Sequence, residues 1–308
     1  MTCKYSIILI SLLLVSCKKD TIIIPPPPSP LIQECRDLTL SNLPSQTDTI
    51  YNTPRFNPNN SNEIIYVKGI QSASISFIVK HNLLTGQETT IVDSIWRRPD
   101  WSVKDWILFN HADNQIWKIK SNGDSLTLLT TDMLGGHNAV WSPDGNKFSF
   151  IRQGNTANYN IICDANGNHL DTIPYFAFYL NKWSSDGLNI CGLNFDYVNI
   201  VIENVNTLNT VHLTNNTLNT HGTNMAFGDG IDWTPDSKNI IWCTQEGIFK
   251  TNIDTKQTTS IMAFCNTSRY LTNLSVSPDG KKIIGQRIDV VGGLSLMDID
   301  GKNEIIIK

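Results

Sequence analysis

Charged side chains are scarce in this sequence, because Lys, Arg, Asp and Glu together make up 17% of its 308 residues, against about 25% in typical soluble domains. The net charge is −4, and the basic residues form no patch along the chain. Proteins that bind nucleic acid need a basic surface that neutralises phosphate groups. The composition therefore argues against nucleic acid as the main partner.

Signatures of common catalytic sites are also missing. The sequence contains no Gly-x-Ser-x-Gly, no His-Glu-x-x-His and no phosphate-binding loop, which are typical of several large enzyme classes. It has no Cys-x-x-Cys spacing, which argues against a zinc knuckle. The sequence predicts no catalytic residue, no metal site and no cofactor, and it favours a binding protein over an enzyme.

A long hydrophobic run is lacking as well. The apolar stretch from Tyr5 to Val15 follows Lys4, and it is too short to span a bilayer but typical of a secretory signal. It ends in Leu14-Val15-Ser16-Cys17, which resembles the lipobox of bacterial lipoproteins. The resemblance implies that residues 1–16 are a signal peptide and that Cys17 carries the lipid.

Residues 17–34 are predicted to be a spacer between the lipid and a folded domain. Four consecutive prolines, Pro25 to Pro28, and a fifth at Pro30 favour a stiff polyproline II segment. Lys18 follows Cys17, where an Asp would resemble an inner-membrane retention signal. The sequence thus predicts attachment to the membrane through a lipid anchor in the cell envelope, with the outer membrane favoured.

Five cysteines remain beyond the signal and the lipidation site. Cys163, Cys191 and Cys243 lie within apolar runs and are expected to be small buried core residues. Cys35 and Cys265 lie outside strong strand patterns. A disulfide between these two is one alternative that an exported compartment allows.

The stretch "VWSPDGNKFSF", from Val140 to Phe150, is typical of a β-hairpin. Proline presets the second position of a turn, and Gly145 accepts the left-handed conformation that closes it. After the turn, Phe148 and Phe150 alternate with Ser149, which is the period of a strand with one buried face.

This pattern recurs six times at a nearly constant period, and we call the residue that starts each copy the anchor. The six anchors are Phe56, Trp101, Trp141, Trp183, Trp233 and Val276. Each copy also contains a second turn, such as Asn122-Gly123 or Asp300-Gly301, between two further apolar segments. Four antiparallel strands in every 40 to 50 residues indicate the blade of a β-propeller.

With these repeats the chain resembles a TolB-type six-bladed β-propeller, built from WD-like repeats with a Trp-Ser-Pro-Asp-Gly signature. The resemblance implies an all-β domain of six four-stranded antiparallel blades over residues 35–308. The anchor is expected to start the inner strand and to pack between neighbouring blades. Because the last repeat contains its own fourth strand, the ring is expected to close by packing, without a borrowed strand.

The two faces of such a propeller differ. The short recurring turns share one face, the turn face, whereas the longer irregular loops share the opposite one, the loop face. Loops of this kind often carry function, and aromatic and Arg side chains are common binding anchors. The candidate binding residues on the loop face are Trp96, Arg97, Arg98, His137, Tyr175, His221, Arg269 and Tyr270.

The sequence therefore predicts a lipid-anchored envelope propeller that binds or scaffolds an envelope protein, or binds a glycan, on its loop face. The alternative is a polysaccharide lyase or hydrolase with a loop-face active site. Some propeller lyases that resemble this family hold a divalent metal with loop histidines. The histidines expected on this face are His111, His137 and His221.

Overall fold

A computed structural model describes residues 35–38, 48–131, 136–153, 158–174, 181–193, 199–214, 230–265, 269–289 and 293–308. The described residues form six four-stranded antiparallel sheets, and the predicted all-β, six-bladed propeller is confirmed. The predicted signal peptide, Cys17 and the proline-rich spacer lie outside the described residues. In the part of the chain that the structure covers, no helix is long and apolar enough to cross a bilayer.

Each blade takes its four strands from one continuous stretch of sequence. Blade 1 consists of β1 (Thr49–Asn57), β2 (Asn60–Ile70), β3 (Ile75–Asn82) and β4 (Glu88–Asp93). Blade 2 consists of β5 (Ile95–Trp101), β6 (Trp106–His111), β7 (Ile116–Lys120) and β8 (Thr127–Leu128). Blade 3 consists of β9 (Gly136–Trp141), β10 (Lys147–Gln153), β11 (Asn158–Asp164) and β12 (His169–Pro174).

The second half of the ring repeats the same plan. Blade 4 consists of β13 (Lys182–Trp183), β14 (Asn189–Leu193), β15 (Ile200–Asn204) and β16 (Thr210–His212). Blade 5 consists of β17 (Ile231–Trp233), β18 (Asn239–Cys243), β19 (Gly247–Asn252) and β20 (Thr258–Ala263). Blade 6 consists of β21 (Tyr270–Val276), β22 (Lys282–Ile288), β23 (Leu294–Asp298) and β24 (Ile305–Ile306). Since β24 completes blade 6 in the order β21-β22-β23-β24, the ring closes without a borrowed strand, as expected.

The anchor is the last residue of the first strand in blades 2 to 6 and the last but one in blade 1, so the prediction that it starts the inner strand was wrong. Trp101, Trp141 and Trp233 are the last residues of β5, β9 and β17. The reason is local, because the Pro-Asp turn follows the anchor directly and must come after the strand has ended. The predicted packing between blades is confirmed, since Trp101 lies in one apolar cluster with Ile65 of blade 1.

A repeated set of hydrogen bonds holds the turn after the anchor in blades 3 to 6. In blade 3, Ser142 Oγ donates to Asp144 Oδ1 at 2.6 Å and accepts from the N–H of Lys147 at 3.0 Å. The same two contacts recur in the next three blades, around Ser184, Thr234 and Ser277. The side chains thus supply partners for main-chain groups that the turn removes from the strand ladder.

The turn closes on a residue with positive φ. Gly145, Gly187 and Gly280 adopt φ values of 63°, 72° and 69°, which confirms the left-handed conformation expected there. In blades 2 and 5 the same position is taken by Asp105 at 64° and Ser237 at 57°. These side chains accept a less favourable backbone conformation, so the turn geometry persists where the glycine is absent.

Among the described residues, the apolar core consists of six clusters, one at each interface between neighbouring blades. The cluster that closes the ring joins Phe56 and Tyr66 of blade 1 to Ile284 and Leu294 of blade 6. A single blade cannot bury both faces of its sheet, whereas in a closed ring every blade has two neighbours.

The segment before the first blade is attached to blades 5 and 6. Cys35 and Cys265 form a disulfide with a Cα–Cα distance of 4.8 Å, so the pairing that the sequence left open is present. Arg36 forms a parallel bridge with Phe264, and Leu38 is buried in the cluster between blades 5 and 6.

The other three cysteines are buried and free, as expected. Burial raises the pKa of the Cys163 thiol to about 11, and the nearby carboxylate of Asp164 acts in the same direction. Burial also raises the pKa values of Cys191 and Cys243. The three thiols therefore stay protonated at neutral pH and behave as small apolar side chains.

Candidate functional site

The first strands of all six blades converge on a cavity of about 420 Å³ at the turn face. Its wall contains all six anchors and several residues of the turns that follow them. Because every blade contributes to the wall, the cavity lies where the ring axis meets the turn face.

The residue directly before each anchor also lines this cavity, and we call these six residues the collar. The collar consists of Arg55, Asp100, Val140, Lys182, Asp232 and Ser275. Four of the six carry a charge, two of each sign. Charged side chains are rarely buried without partners, so the contacts of the collar decide what it can do.

Two collar carboxylates connect neighbouring blades. Asp100 Oδ2 in blade 2 accepts a hydrogen bond from the N–H of Trp141 in blade 3 at 2.8 Å. Asp232 Oδ2 in blade 5 accepts one from the N–H of Val276 in blade 6, also at 2.8 Å. The same contact is thus made at two opposite places in the ring, and it fixes the ends of the first strands that frame the cavity.

The two collar cations are held by different partners. Lys182 Nζ lies 3.4 Å from Asp100 Oδ1, which links blade 4 to blade 2 along the cavity wall. Arg55 Nη1 donates to the main-chain oxygen atoms of Pro54 at 2.8 Å and Leu274 at 3.3 Å. Arg55 therefore holds the first strand of blade 1 against blade 6.

Burial raises the pKa of Asp232, although the positive charges of Lys182 and Arg55 and the N–H groups of Val276 and Trp233 act in the opposite direction. Removing a carboxylate from water disfavours its charged form. Lys182 and Arg55 thus favour the ionised form of this carboxyl, against the larger effect of burial.

The rim of the cavity is formed by small and rigid side chains. Pro143, Pro235 and Pro278 lie in the turns of three blades, and Val103 and Ser185 take the equivalent places in two others. Val103 is 37% exposed. Rigid walls with preset charges reduce the entropy lost on binding, so the arrangement suits recognition of a polar segment.

The structure places the described loop-face candidates at the starts of first strands. Trp96 and Arg98 lie in β5, His137 is the second residue of β9, and Arg269 directly precedes Tyr270 at the start of β21. Trp96 is 58% exposed. Because the anchors lie at the opposite ends of these strands, residues near the strand starts lie towards the face away from the cavity. That they bind a ligand there stays a prediction.

The remaining loop-face candidates are described less fully or not at all. The main chain of Arg97 belongs to β5, and its side chain lies outside the described parts. Tyr175 and His221 also lie outside the described residues. Two of the three histidines considered for a metal are described. His111 is the last residue of β6, and His137 is the second residue of β9. In the regions that the structure covers, no group of three metal-binding side chains occurs.

The collar was not predicted from the sequence. A signal was present, because aligning the repeats on their anchors puts Arg55, Asp100, Lys182 and Asp232 in one column. A charged side chain directly before an apolar anchor requires a special environment. Only the closed ring shows that the column surrounds one cavity.

Comparisons with known proteins agree on the fold. No protein-family model matches the sequence, and no curated protein matches it. Among solved structures, the chain is similar to a protein described as TolB from Agrobacterium tumefaciens, with a TM-score of 0.62 and 17% identity. The similarity covers 74% of this chain and 86% of that one. The chain therefore has the TolB-type six-bladed propeller fold.

Two further structures extend this comparison. TolB from Acinetobacter baumannii matches with a TM-score of 0.53 and 18% identity over 82% of this chain and 53% of that one, so this chain spans about half of that protein. Oligogalacturonate lyase from Vibrio parahaemolyticus matches with a TM-score of 0.55 and 12% identity over 80% and 77% of the two chains. At these identities the likeness is one of fold.

Proposed function

We propose that this protein is a lipid-anchored propeller of a bacterial cell envelope that binds a protein partner. The observation that carries the proposal is the collar cavity, to which all six blades contribute and in which four ionisable side chains are held in preset positions. Its size suits one or a few side chains of a partner. A polar segment with charged groups of both signs would complement the two cations, Arg55 and Lys182, and the two carboxylates, which alternate with the cations around the ring.

The envelope location is supported by the signal-like N-terminus and by the resemblance in fold to TolB proteins. Residues 17–34 would tether the propeller to the membrane through Cys17, with the outer membrane favoured. Two or three acyl chains give a stable anchor, whereas one chain holds a protein only marginally. The Cys35–Cys265 disulfide is consistent with an oxidising compartment.

The anchor is tested by replacing Cys17 with Ser in cells and fractionating them. We expect the variant to leave the membrane fraction or to remain unprocessed, whereas Cys35→Ser, which removes a different exported cysteine, should stay membrane-bound. Normal processing and membrane retention of the Cys17 variant would contradict the anchor.

Partner binding is tested by affinity capture from crosslinked membranes. Ser185→Arg places a long side chain at the cavity rim, and it should reduce recovery of the partner captured by the wild type. Leu188→Arg is the matched control, because Leu188 is 47% exposed in the same blade and does not line the cavity. Equal recovery with both variants would contradict binding at the collar.

The loop face remains the second candidate surface, with Trp96, Arg98, His137, Arg269 and Tyr270 as its described members. A protein or a glycan that contacts aromatic and Arg side chains would suit it. The exposed indole of Trp96 is the observation that favours this surface.

The competing function is a polysaccharide lyase or hydrolase with a loop-face active site. The similarity in fold to oligogalacturonate lyase favours it, and it would place His137 and His221 in a metal site. Metal analysis of the purified protein discriminates between the two functions. Stoichiometric divalent metal that is lost on His137→Ala or His221→Ala would support the enzyme and count against a pure binding module.

A further inference from the structure

Lys118 and Lys120 bring two ammonium groups to one indole ring in blade 2. They lie two positions apart in β7, so their side chains leave the same face of the sheet. Their Nζ atoms lie 4.6 Å and 4.2 Å from the ring centroid of Trp106. Trp106 pairs directly with Lys120 across β6 and β7. The indole face attracts both cations and forms the floor of a small cationic site.

Neither ammonium group has a carboxylate partner among the described residues. Lys118 Nζ donates to the main-chain oxygen of Ala165 at 2.6 Å, and Lys120 Nζ donates to that of Lys104 at 2.8 Å. Elsewhere on the described surface Lys282 and Lys302 pair with carboxylates at 2.6 Å and 2.9 Å. The pair on Trp106 is therefore a local excess of positive charge.

Asp164 offsets this positive charge only in part. Asp164 is the nearby acid, but its carboxylate accepts from the N–H of Asn166 at 2.8 Å and from the N–H and Nδ2 of Asn168 at 3.0 Å and 2.8 Å. Burial lowers the pKa of Lys118, Asp164 acts in the opposite direction, and Lys120 lowers it further. Two partly desolvated cations thus repel each other across one ring.

We infer that Trp106, Lys118 and Lys120 form a binding subsite for an oxyanion, a carboxylate or a phosphate group, at the seam between blades 2 and 3. Each ammonium has three donors, so both keep N–H groups that can reach an anion after their main-chain bonds are made. Trp106 and Lys120 are half-buried, which leaves the site open to solvent on one side. The subsite is separate from the collar and does not depend on the proposed function.

The test follows the indole N–H signal of Trp106 by NMR in the full folded chain. Trp106→Phe assigns that signal. Inorganic phosphate and succinate are titrated separately at constant ionic strength, because salt screens exposed charges. A saturable shift of the Trp106 signal is expected, and the anion that saturates it at the lower concentration identifies the preferred class.

Lys120→Gln should weaken the response by about tenfold, since it removes one of two charge-assisted partners. Lys302→Gln is the matched control, because Lys302 is an exposed turn-face lysine paired with Asp300, and it should leave the titration unchanged. Lys118→Arg keeps the buried positive charge, and this variant should still bind the anion. A shift that does not saturate in the wild type overturns the inference, as does equal binding by the folded Lys120 and Lys302 variants.

Discussion

At the residue scale, the two collar carboxylates are acceptors for main-chain N–H groups of the next blade. Asp232→Ala would leave the N–H of Val276 without its partner, which costs about 1–3 kcal/mol in the free energy of unfolding. Asp232→Asn keeps an acceptor at the same place and should be close to neutral, the more so because burial disfavours the charged form of this carboxyl. Urea denaturation of the two variants measures the difference.

An equal loss of stability for Asn and Ala would contradict this account, because it would assign the effect to the charge and not to the hydrogen bond. Asp100 provides an independent check through the N–H of Trp141. There the Asn variant also loses its attraction to Lys182, so Asp100→Asn should cost more than Asp232→Asn.

Gly280 tests the turn conformation at the same scale. It has a φ of 69°, and a Cβ there would meet Pro235 Cδ of the neighbouring blade at 3.4 Å, which is ordinary contact. The strain of a β-branched residue at positive φ should therefore dominate, and Gly280→Val should destabilise by roughly 1–2 kcal/mol. Thermal unfolding provides the measurement.

Gly69→Val is the matched control for Gly280→Val. Gly69 lies in β2 without a positive φ, and nothing lies within 4 Å of a Cβ built there. A valine should be accepted at this position, because β-branched side chains favour strands. If both variants melt at the wild-type temperature, the assigned turn conformation at Gly280 is wrong.

At the element scale, the end of blade 6 is joined to blade 1 by a cluster around Glu88. The carboxylate accepts hydrogen bonds from Lys308 Nζ and the hydroxyl of Tyr66, and it lies 3.1 Å from Nδ1 of His81. Burial opposes ionisation, but these partners outweigh it and lower the pKa of Glu88 from 4.5 to about 2. The ionised carboxylate is thus favoured by folding.

Because the folded pKa is depressed, the contribution of Glu88 is complete above about pH 4.5 and is lost as the pH falls towards 2. Glu88→Gln should therefore lower the free energy of unfolding at pH 7 by about 1–2 kcal/mol, as expected for a charge-assisted contact. The difference in free energy of unfolding between this variant and the wild type should become smaller below pH 4.5. Asp254→Asn, on an exposed turn, is the control. A difference in free energy of unfolding between Glu88→Gln and the wild type that stays constant from pH 7 to pH 3 would contradict the role of this cluster.

At the scale of the whole molecule, the blade count could be predicted from the sequence because its determinants are local. Alternating apolar residues and a turn related to Ser-Pro-Asp-Gly occur in six copies, and each copy can be recognised without knowing which blades lie next to it. The position of the anchor at the end of its strand was missed, although the turn that follows it already required that position. Buried cysteines were predictable for the same reason, since each lies in an apolar run.

Contacts between distant parts of the chain could not be predicted with the same certainty. Cys35 and Cys265 are separated by 230 residues, and no local pattern indicates which cysteine meets which. The collar depends on closure of the ring, which brings Asp100 of blade 2 near Lys182 of blade 4. Trp106, Lys118 and Lys120 likewise form one site only because β6 and β7 are paired in that register.

The central claim is that a protein partner binds at the turn-face cavity of an envelope propeller. The most direct measurement is site-specific photo-crosslinking in living cells, with the reactive side chain placed at Val103 on the cavity rim, at Trp96 on the loop face, or at Leu84, which is exposed in the β3–β4 turn of blade 1 and does not line the cavity. The account predicts a discrete crosslinked protein from Val103 and none from Leu84. A crosslinked partner from Trp96 with none from Val103 would move the binding site to the loop face and contradict the account.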